Sequence, residues 1–154
     1  MMIKVMFVCH GNICRSPMAE YIFKYMVKEK GIEKNFIINS SATSCEELGN
    51  PVHRGTKSKL YEMGIPCGDH RAVRLTKADY YAYDYIIAMD SKNVKNIERI
   101  TGSDTENKVH LLLDFTNRKG QSIADPWYTG NFDKTYNDIN EGLEGFLNEI
   151  YKFI

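Results

Sequence analysis

The chain has 154 residues, and its 20 acidic and 20 basic side chains cancel. That length fits one domain, residues 1–154, able to bury roughly two-thirds of the surface its unfolded form exposes. Balanced charge gives no field to gather nucleic acid or an anionic membrane surface, and no apolar run approaches the roughly 20 residues that span a bilayer.

The run Ile3 to Val8 is apolar and predicts a buried strand. It starts almost at the first residue, which leaves no room for a signal peptide. Four cysteines without a C-x-x-C pair fit reduced thiols, so a cytoplasmic protein is expected. The next stretch, Val8-Cys9-His10-Gly11-Asn12-Ile13-Cys14-Arg15-Ser16-Pro17, joins that strand to a helix expected to start at Pro17, because proline is favoured at a first helical position. A strand, a short loop and a helix N-terminus form an anion site, since free N–H groups and the helix dipole converge there. Gly11 permits turns that a Cβ forbids, and Asn12 tolerates left-handed geometry. Such a loop can curl its amides around one centre with the Cys9 sulfur beneath.

A thiolate attacks phosphorus far better than a thiol does. Helix N-termini and nearby cations bring a cysteine from about 8.5 to roughly 3.5–7.5. Arg15 offers a planar fork that can hold two phosphoryl oxygens. A Ser16 hydroxyl bonded to the sulfur would help it leave when a phosphocysteine is hydrolysed.

Further along, Gly31 is expected to end the first helix, and Phe36 to Ser40 reads as a second strand. Ser41 to Gly49 is small and polar and predicts a loop. Asn50-Pro51 predicts the start of a helix that Gly64 stops. Thr76 is positioned to cap a short helix through Tyr83. Tyr85 to Met89 reads as a third strand, followed by a helix capped by Asp90-Ser91 and ended by Gly102. Val109 to Leu113 reads as a fourth strand. In the last helix Phe132, Tyr136, Ile139, Leu143, Phe146, Ile150 and Phe153 alternate by four and three, which predicts one apolar face. Strands alternating with helices imply an α/β fold with a parallel sheet and helices on both faces. Ligands of such sheets sit beyond the strand C-termini, where the Cys9 loop lies.

Cys9-x-Gly11-Asn12-x-Cys14-Arg15-Ser16-Pro17 resembles the signature of the low-molecular-weight protein tyrosine phosphatases. The likeness extends over nearly the whole chain and implies a four-stranded parallel sheet with a phosphate-binding loop after the first strand. It implies hydrolysis of phosphotyrosine through a phosphocysteine, with Cys9 as nucleophile, Arg15 as phosphate clamp and His10, Gly11, Asn12, Ile13, Cys14 and Ser16 around the phosphate. Asp125-Pro126-Trp127-Tyr128 resembles the family's acid loop, making Asp125 general acid then base, with Trp127, Tyr128 and Ile13 lining the substrate pocket. An Asp-Pro pair is otherwise a common turn initiator. Ser40 and His70 stand where the family places partners of Asn12 and Ser16. Asp90 resembles a family position too, though helix capping alone could account for it. Cys14 is implied as a redox partner of Cys9, able to form a protective disulfide.

The chain departs from the family at the rim. Cys45-Glu46-Glu47 stands where an aromatic residue is common, Ser41 replaces a common glycine, and His10 an apolar residue; Arg74 falls one place later than in relatives. These bear on substrate preference. A protein-arginine phosphatase on the same scaffold is the main alternative, although Ile13 stands where the best-known cases have threonine. A non-hydrolytic phosphocarrier is disfavoured by Arg15 and the acid, and a disulfide-shuttling arsenate reductase by the lack of cysteines after Cys67. The four histidines show no metal-ligand spacing, so no metal or cofactor is expected. The expected partners are a phosphotyrosine protein or peptide and inorganic phosphate or other oxyanions as inhibitors, with the chain itself a monomer.

Overall fold

In the computed structural model, which describes residues 2–154, the first apolar run forms the central strand β1 (Ile3–Cys9). It is flanked in parallel by β2 (Phe36–Ala42) and β3 (Tyr85–Ala88), and β4 (Val109–Leu111) extends the sheet beyond β3. The order is β2-β1-β3-β4. The chain leaves β1 toward one neighbour and returns on the other side, so the loop after β1 opens at the point where strand order reverses.

Side chains of a strand alternate between faces, and β1 is apolar on both. Val5, Phe7 and Cys9 face a layer made of α1 (Arg15–Glu29), α2 (Arg54–Glu62) and α6 (Phe132–Tyr151), where they join Met18, Leu60 and Leu143. Met6 and Val8 face α3 (Lys77–Ala82) and α4 (Ser91–Thr101) through Tyr80 and Ile97. Phe23 anchors the first layer, with Phe7, Phe36 and Phe146 rings all within 5.9 Å of its centroid. Caps expected at Thr76 and Asp90 are present, each as a reciprocal capping box.

Several boundaries differ from expectation. Helix α1 starts at Arg15, two residues before Pro17, which occupies its third position. The first few helical N–H groups have no intrahelical acceptor, so proline is tolerated there as well. The earlier start leaves the Arg15 and Ser16 amides free for the loop. Helix α2 starts at Arg54 with His53 as its cap, rather than at Asn50-Pro51. The backbone before it is already paired: Ala72 N–H donates to the Asn50 carbonyl, Pro51 bridges Arg71, and His53 N–H donates to the Ile13 carbonyl. Ser41 and Ala42 belong to β2 instead of the following loop, because Ala42 bonds both Val73 and Leu75. Past Leu111 the chain turns into a short 3-10 segment, Leu112–Phe115, that drops Leu112 and Leu113 into the core.

That turn also accounts for two glycines in α6. A Cβ on Gly142 would come within 2.5 Å of Leu112 Cγ, and one on Gly145 would overlap the Phe115 carbonyl. The predicted α6 stripe is buried from Tyr136 to Ile150, and Phe132 is half-buried. Phe153 lies beyond the helix end and is exposed, so it does not belong to the face.

Candidate active site

Cys9 is the last residue of β1, and the chain from it to Ser16 curls around its sulfur. Asn12 N–H donates to Cys9 Sγ at 3.3 Å and Ser16 N–H at 3.4 Å, while Ser16 Oγ lies 3.0 Å away. Asn12 has φ +60°, the left-handed conformation that turns its amide inward. A network holds it there. Val73 N–H donates to Asn12 Oδ1 at 3.1 Å, which fixes that atom as the oxygen. His70 Nε2, 2.7 Å from the same oxygen, must then carry a proton. Asn12 Nδ2 donates to Ser40 Oγ at 2.9 Å and to Ser16 Oγ at 2.7 Å. Ser40 donates onward to buried Glu20 at 2.6 Å, and Lys24 neutralises Glu20 at 2.6 Å. With Ser16 Oγ already accepting from Asn12, its own proton is free to point at the Cys9 sulfur. The sulfur thus faces three hydrogen-bond donors.

Burial lowers the pKa of His70 more than Glu20 raises it, so the imidazole is held neutral. A neutral ring bearing its proton on Nε2 satisfies this network.

Arg15 is 2% exposed. Its Nη1 donates to Asp90 Oδ2 at 2.7 Å and to the Ile123 carbonyl at 2.9 Å, and Nη2 reaches Asp125 Oδ2 at 3.4 Å. Burial works against its charge, but Cys9, Asp90 and Asp125 outweigh it, and the guanidinium holds its proton more firmly than usual. Its Nε is buried with no partner in the protein, a donor free for a ligand. Cys14 is also buried. Burial first, then the charges of Cys9 and Asp125, push its thiol up to about 12, so it stays protonated at neutral pH.

Asp125 caps the short helix α5 (Pro126–Thr129), its Oδ1 accepting from Trp127 N–H at 3.0 Å. Two ties hold this segment against the molecule: Ile123 N–H to the Met89 carbonyl at 2.8 Å, and Thr135 Oγ1 to the Ala124 carbonyl at 3.2 Å. Asp125, Trp127 and Tyr128 form one wall of a cleft whose floor is Cys9, Gly11, Ile13 and Cys14. His10, Glu46 and Glu47 complete its lining, with His10 Nε2 bonded to Glu46 Oε2 at 2.9 Å. The cleft encloses about 100 Å³. A more open depression of about 900 Å³ beside Lys57, Cys67 and Asp69 shares no residue with it; there burial pushes the Cys67 thiol up and its sulfur donates to the Gly68 carbonyl instead of sitting in a ring of amides, so chemistry rather than size locates the site.

All the predicted residues meet here. Cys9, His10, Gly11, Ile13, Cys14, Asp125, Trp127 and Tyr128 line the cleft, and Asn12, Arg15, Ser16, Ser40 and His70 support it from below. Both Ser40 and His70 bond Asn12; neither is bonded to Ser16. Sequence reasoning missed Glu20, the Ile123 carbonyl and the second task of Asp90, which caps α4 with one oxygen and holds Arg15 with the other. An acidic residue among the apolar neighbours of Met18-Ala19-Glu20-Tyr21-Ile22-Phe23 is the one signal that could have marked Glu20. Among the described residues, no three His, Cys, Asp or Glu side chains converge as metal ligands, and no helix is long and apolar enough to cross a membrane.

Residues 4–153, which carry this thiol, buried arginine and carboxyl, match a family model described as low molecular weight phosphotyrosine protein phosphatase. The chain belongs to that family. It is 38% identical to the low molecular weight protein-tyrosine-phosphatase YfkJ of Bacillus subtilis across 98% of this chain and 97% of the relative. The YfkJ crystal structure superposes with a TM-score of 0.94, covering 99% of this chain and 96% of that one. A low molecular weight protein tyrosine phosphatase from Streptococcus pyogenes is 40% identical, with a TM-score of 0.86 and coverage of 97% and 93%. A Drosophila arginine phosphatase is 31% identical with a TM-score of 0.87, covering 96% of this chain and 97% of that chain. The phosphatase therefore shares its scaffold with enzymes of both substrate classes.

Proposed function

We propose that this phosphatase hydrolyses phosphotyrosine in proteins through a phosphocysteine formed on Cys9. In the first half the Cys9 thiolate attacks phosphorus, the bond from phosphorus to the tyrosyl oxygen breaks, and Asp125 gives its proton to the departing phenolate. In the second half Asp125 takes a proton from water as its oxygen attacks phosphorus. The phosphorus–sulfur bond breaks, and inorganic phosphate leaves. Arg15 and the loop amides hold the phosphoryl oxygens throughout, and the Ser16 hydroxyl supports the sulfur as it leaves. An entering dianion competes with Asp125 for Arg15 Nη2, a contact already long at 3.4 Å.

The observation that carries this reading is the set of donors around Cys9 Sγ, namely the Asn12 and Ser16 amides and the Ser16 hydroxyl, with Arg15 and Asp125 at the same cleft. Trp127 and Tyr128 on one side and Ile13 on the floor supply apolar surface for a phenyl ring. Turnover of matched peptides carrying phosphotyrosine, phosphoserine or phosphoarginine tests the substrate class. Phosphotyrosine should be fastest by kcat/KM; a faster phosphoarginine peptide would assign the guanidinium to the Glu46–Glu47 rim and replace this reading.

We further assign the enzyme to the cytoplasm, a placement supported by four free thiols, and propose that it acts as a monomer. Cys14 is assigned as the resolving thiol after oxidation of Cys9. Recovery from peroxide by a dithiol should be lost in Cys14→Ser; equal recovery would remove that role.

A further inference from the structure

His53 takes no part in the chemistry above, yet three parts of the site meet at it. Its N–H donates to the Ile13 carbonyl of the phosphate loop at 2.8 Å. Its ring Nδ1 accepts from Gly55 N–H at 3.0 Å and so caps α2. The same ring stacks on Phe132, with centroids 5.4 Å apart and planes at 18°. It also meets Trp127 edge-on at 5.7 Å and 78°. Phe132 is the first residue of α6 and packs on Ile13 and Cys14. A Cβ on Gly55 would overlap the Phe132 ring, so α2 carries at its second position the one residue that admits it. Lys59 of α2 pairs with Asp133 at 2.9 Å, a second tie between the same two helices.

Trp127 matters because its N–H orients Asp125 Oδ1. Trp127 is 56% exposed, and among the described residues His53 is the only ring in contact with its own. A chain of contacts therefore runs from the phosphate loop through His53 and Trp127 to the carboxyl on the cleft wall. We propose that His53 is a positioning residue for Asp125, its ring fixing Trp127 and with it the acid loop over Cys9. The proposal rests on Asp125 acting as the general acid.

Two substitutions separate the ring from the cap. His53→Asn keeps a good capping side chain and removes the ring, whereas His53→Phe keeps a ring and removes the cap acceptor. A misplaced acid costs most where the leaving group needs its proton. In His53→Asn, kcat/KM for phenyl phosphate should fall about two- to tenfold, the range an aromatic pair is worth. For p-nitrophenyl phosphate it should change much less, and inhibition by inorganic phosphate should be unchanged. His53→Phe should stay near wild type on both substrates. Equal losses on the two substrates in His53→Asn, or a larger loss in His53→Phe, would make His53 a helix cap and overturn the proposal. Asp125→Asn measured alongside keeps the two assignments apart. If it shows the leaving-group dependence and His53→Asn does not, only the His53 role falls; if it shows none, both fall.

Discussion

Asp90 serves two masters, and substituting it separates them. One carboxylate oxygen accepts from Asn93 N–H at 2.7 Å and the other from Arg15 Nη1 at 2.7 Å. Asparagine keeps the size and the capping ability, but with its one oxygen on Asn93 N–H its amide nitrogen cannot accept from Arg15, so the charge-assisted bond is lost. Charge-assisted bonds contribute about 1.5–3 kcal/mol, so Asp90→Asn should lower stability by about 2 kcal/mol. Asp90→Ala loses the whole bond and a cap worth about 1 kcal/mol, for a total of about 3. The Asp90 side chain is 22% exposed, and water entering there keeps both losses below the ~3–5 kcal/mol of breaking a fully buried pair. Urea unfolding with linear extrapolation measures both. The function should move in parallel, because Arg15 would retain only the Ile123 carbonyl and the long contact to Asp125. Inhibition by inorganic phosphate should weaken roughly tenfold in either variant, the equivalent of about 1.4 kcal/mol. If Asp90→Asn matches wild type in stability within the error of the extrapolation and in phosphate inhibition, Asp90 is a helix cap and nothing more.

Three other outcomes are expected. Asp125→Asn should lose about 100- to 10,000-fold in kcat/KM on a phosphotyrosine peptide and less on p-nitrophenyl phosphate; equal losses would leave Asp125 shaping its loop only. The pKa of His70 lies below 6.5 when folded, because burial outweighs the pull of Glu20. The folded chain therefore binds fewer protons than the unfolded one, and stability should fall as pH drops below about 6.5 toward the folded value. Urea midpoints across that window should show a smaller decline in His70→Asn, and an undiminished one would place the titration elsewhere. Gly145→Ala should gain about 1 kcal/mol of helix propensity and still be destabilised by about 2 kcal/mol or more overall, since its Cβ meets the Phe115 carbonyl. A raised thermal midpoint would show that the turn yields easily.

What could be foreseen from the residues depended on how local the cause was. Thr76 and Asp90 carry their capping partners three positions on, so the starts of α3 and α4 were readable. The Cys9-to-Ser16 loop encodes its anion site in consecutive residues. The start of α2 was not readable, because Asn50 and His53 are held by Ala72 and Ile13, distant in sequence. Gly142 and Gly145 look like flaws in a helix until the Leu112–Phe115 turn is seen against them. In the site, Cys9, Arg15 and Asp125 each sit in a motif. Glu20 and the Ile123 carbonyl do not, since their tasks exist only once α1 and the acid loop are folded against the phosphate loop. His53 was hidden for the same reason: its neighbours Trp127 and Phe132 lie more than 70 positions away.

In the proposed reaction the phosphoryl group passes through the Cys9 sulfur. Removing the base needed for the second half, in Asp125→Ala, should let that intermediate accumulate during turnover of p-nitrophenyl phosphate, whose leaving group departs without an acid. Acid quenching followed by intact-mass measurement and peptide mapping should find one phosphoryl group per chain, on the peptide bearing Cys9, and none in the Asp125→Ala/Cys9→Ala double variant. A phosphoryl group on another residue, or turnover that continues in Cys9→Ala, would contradict the account.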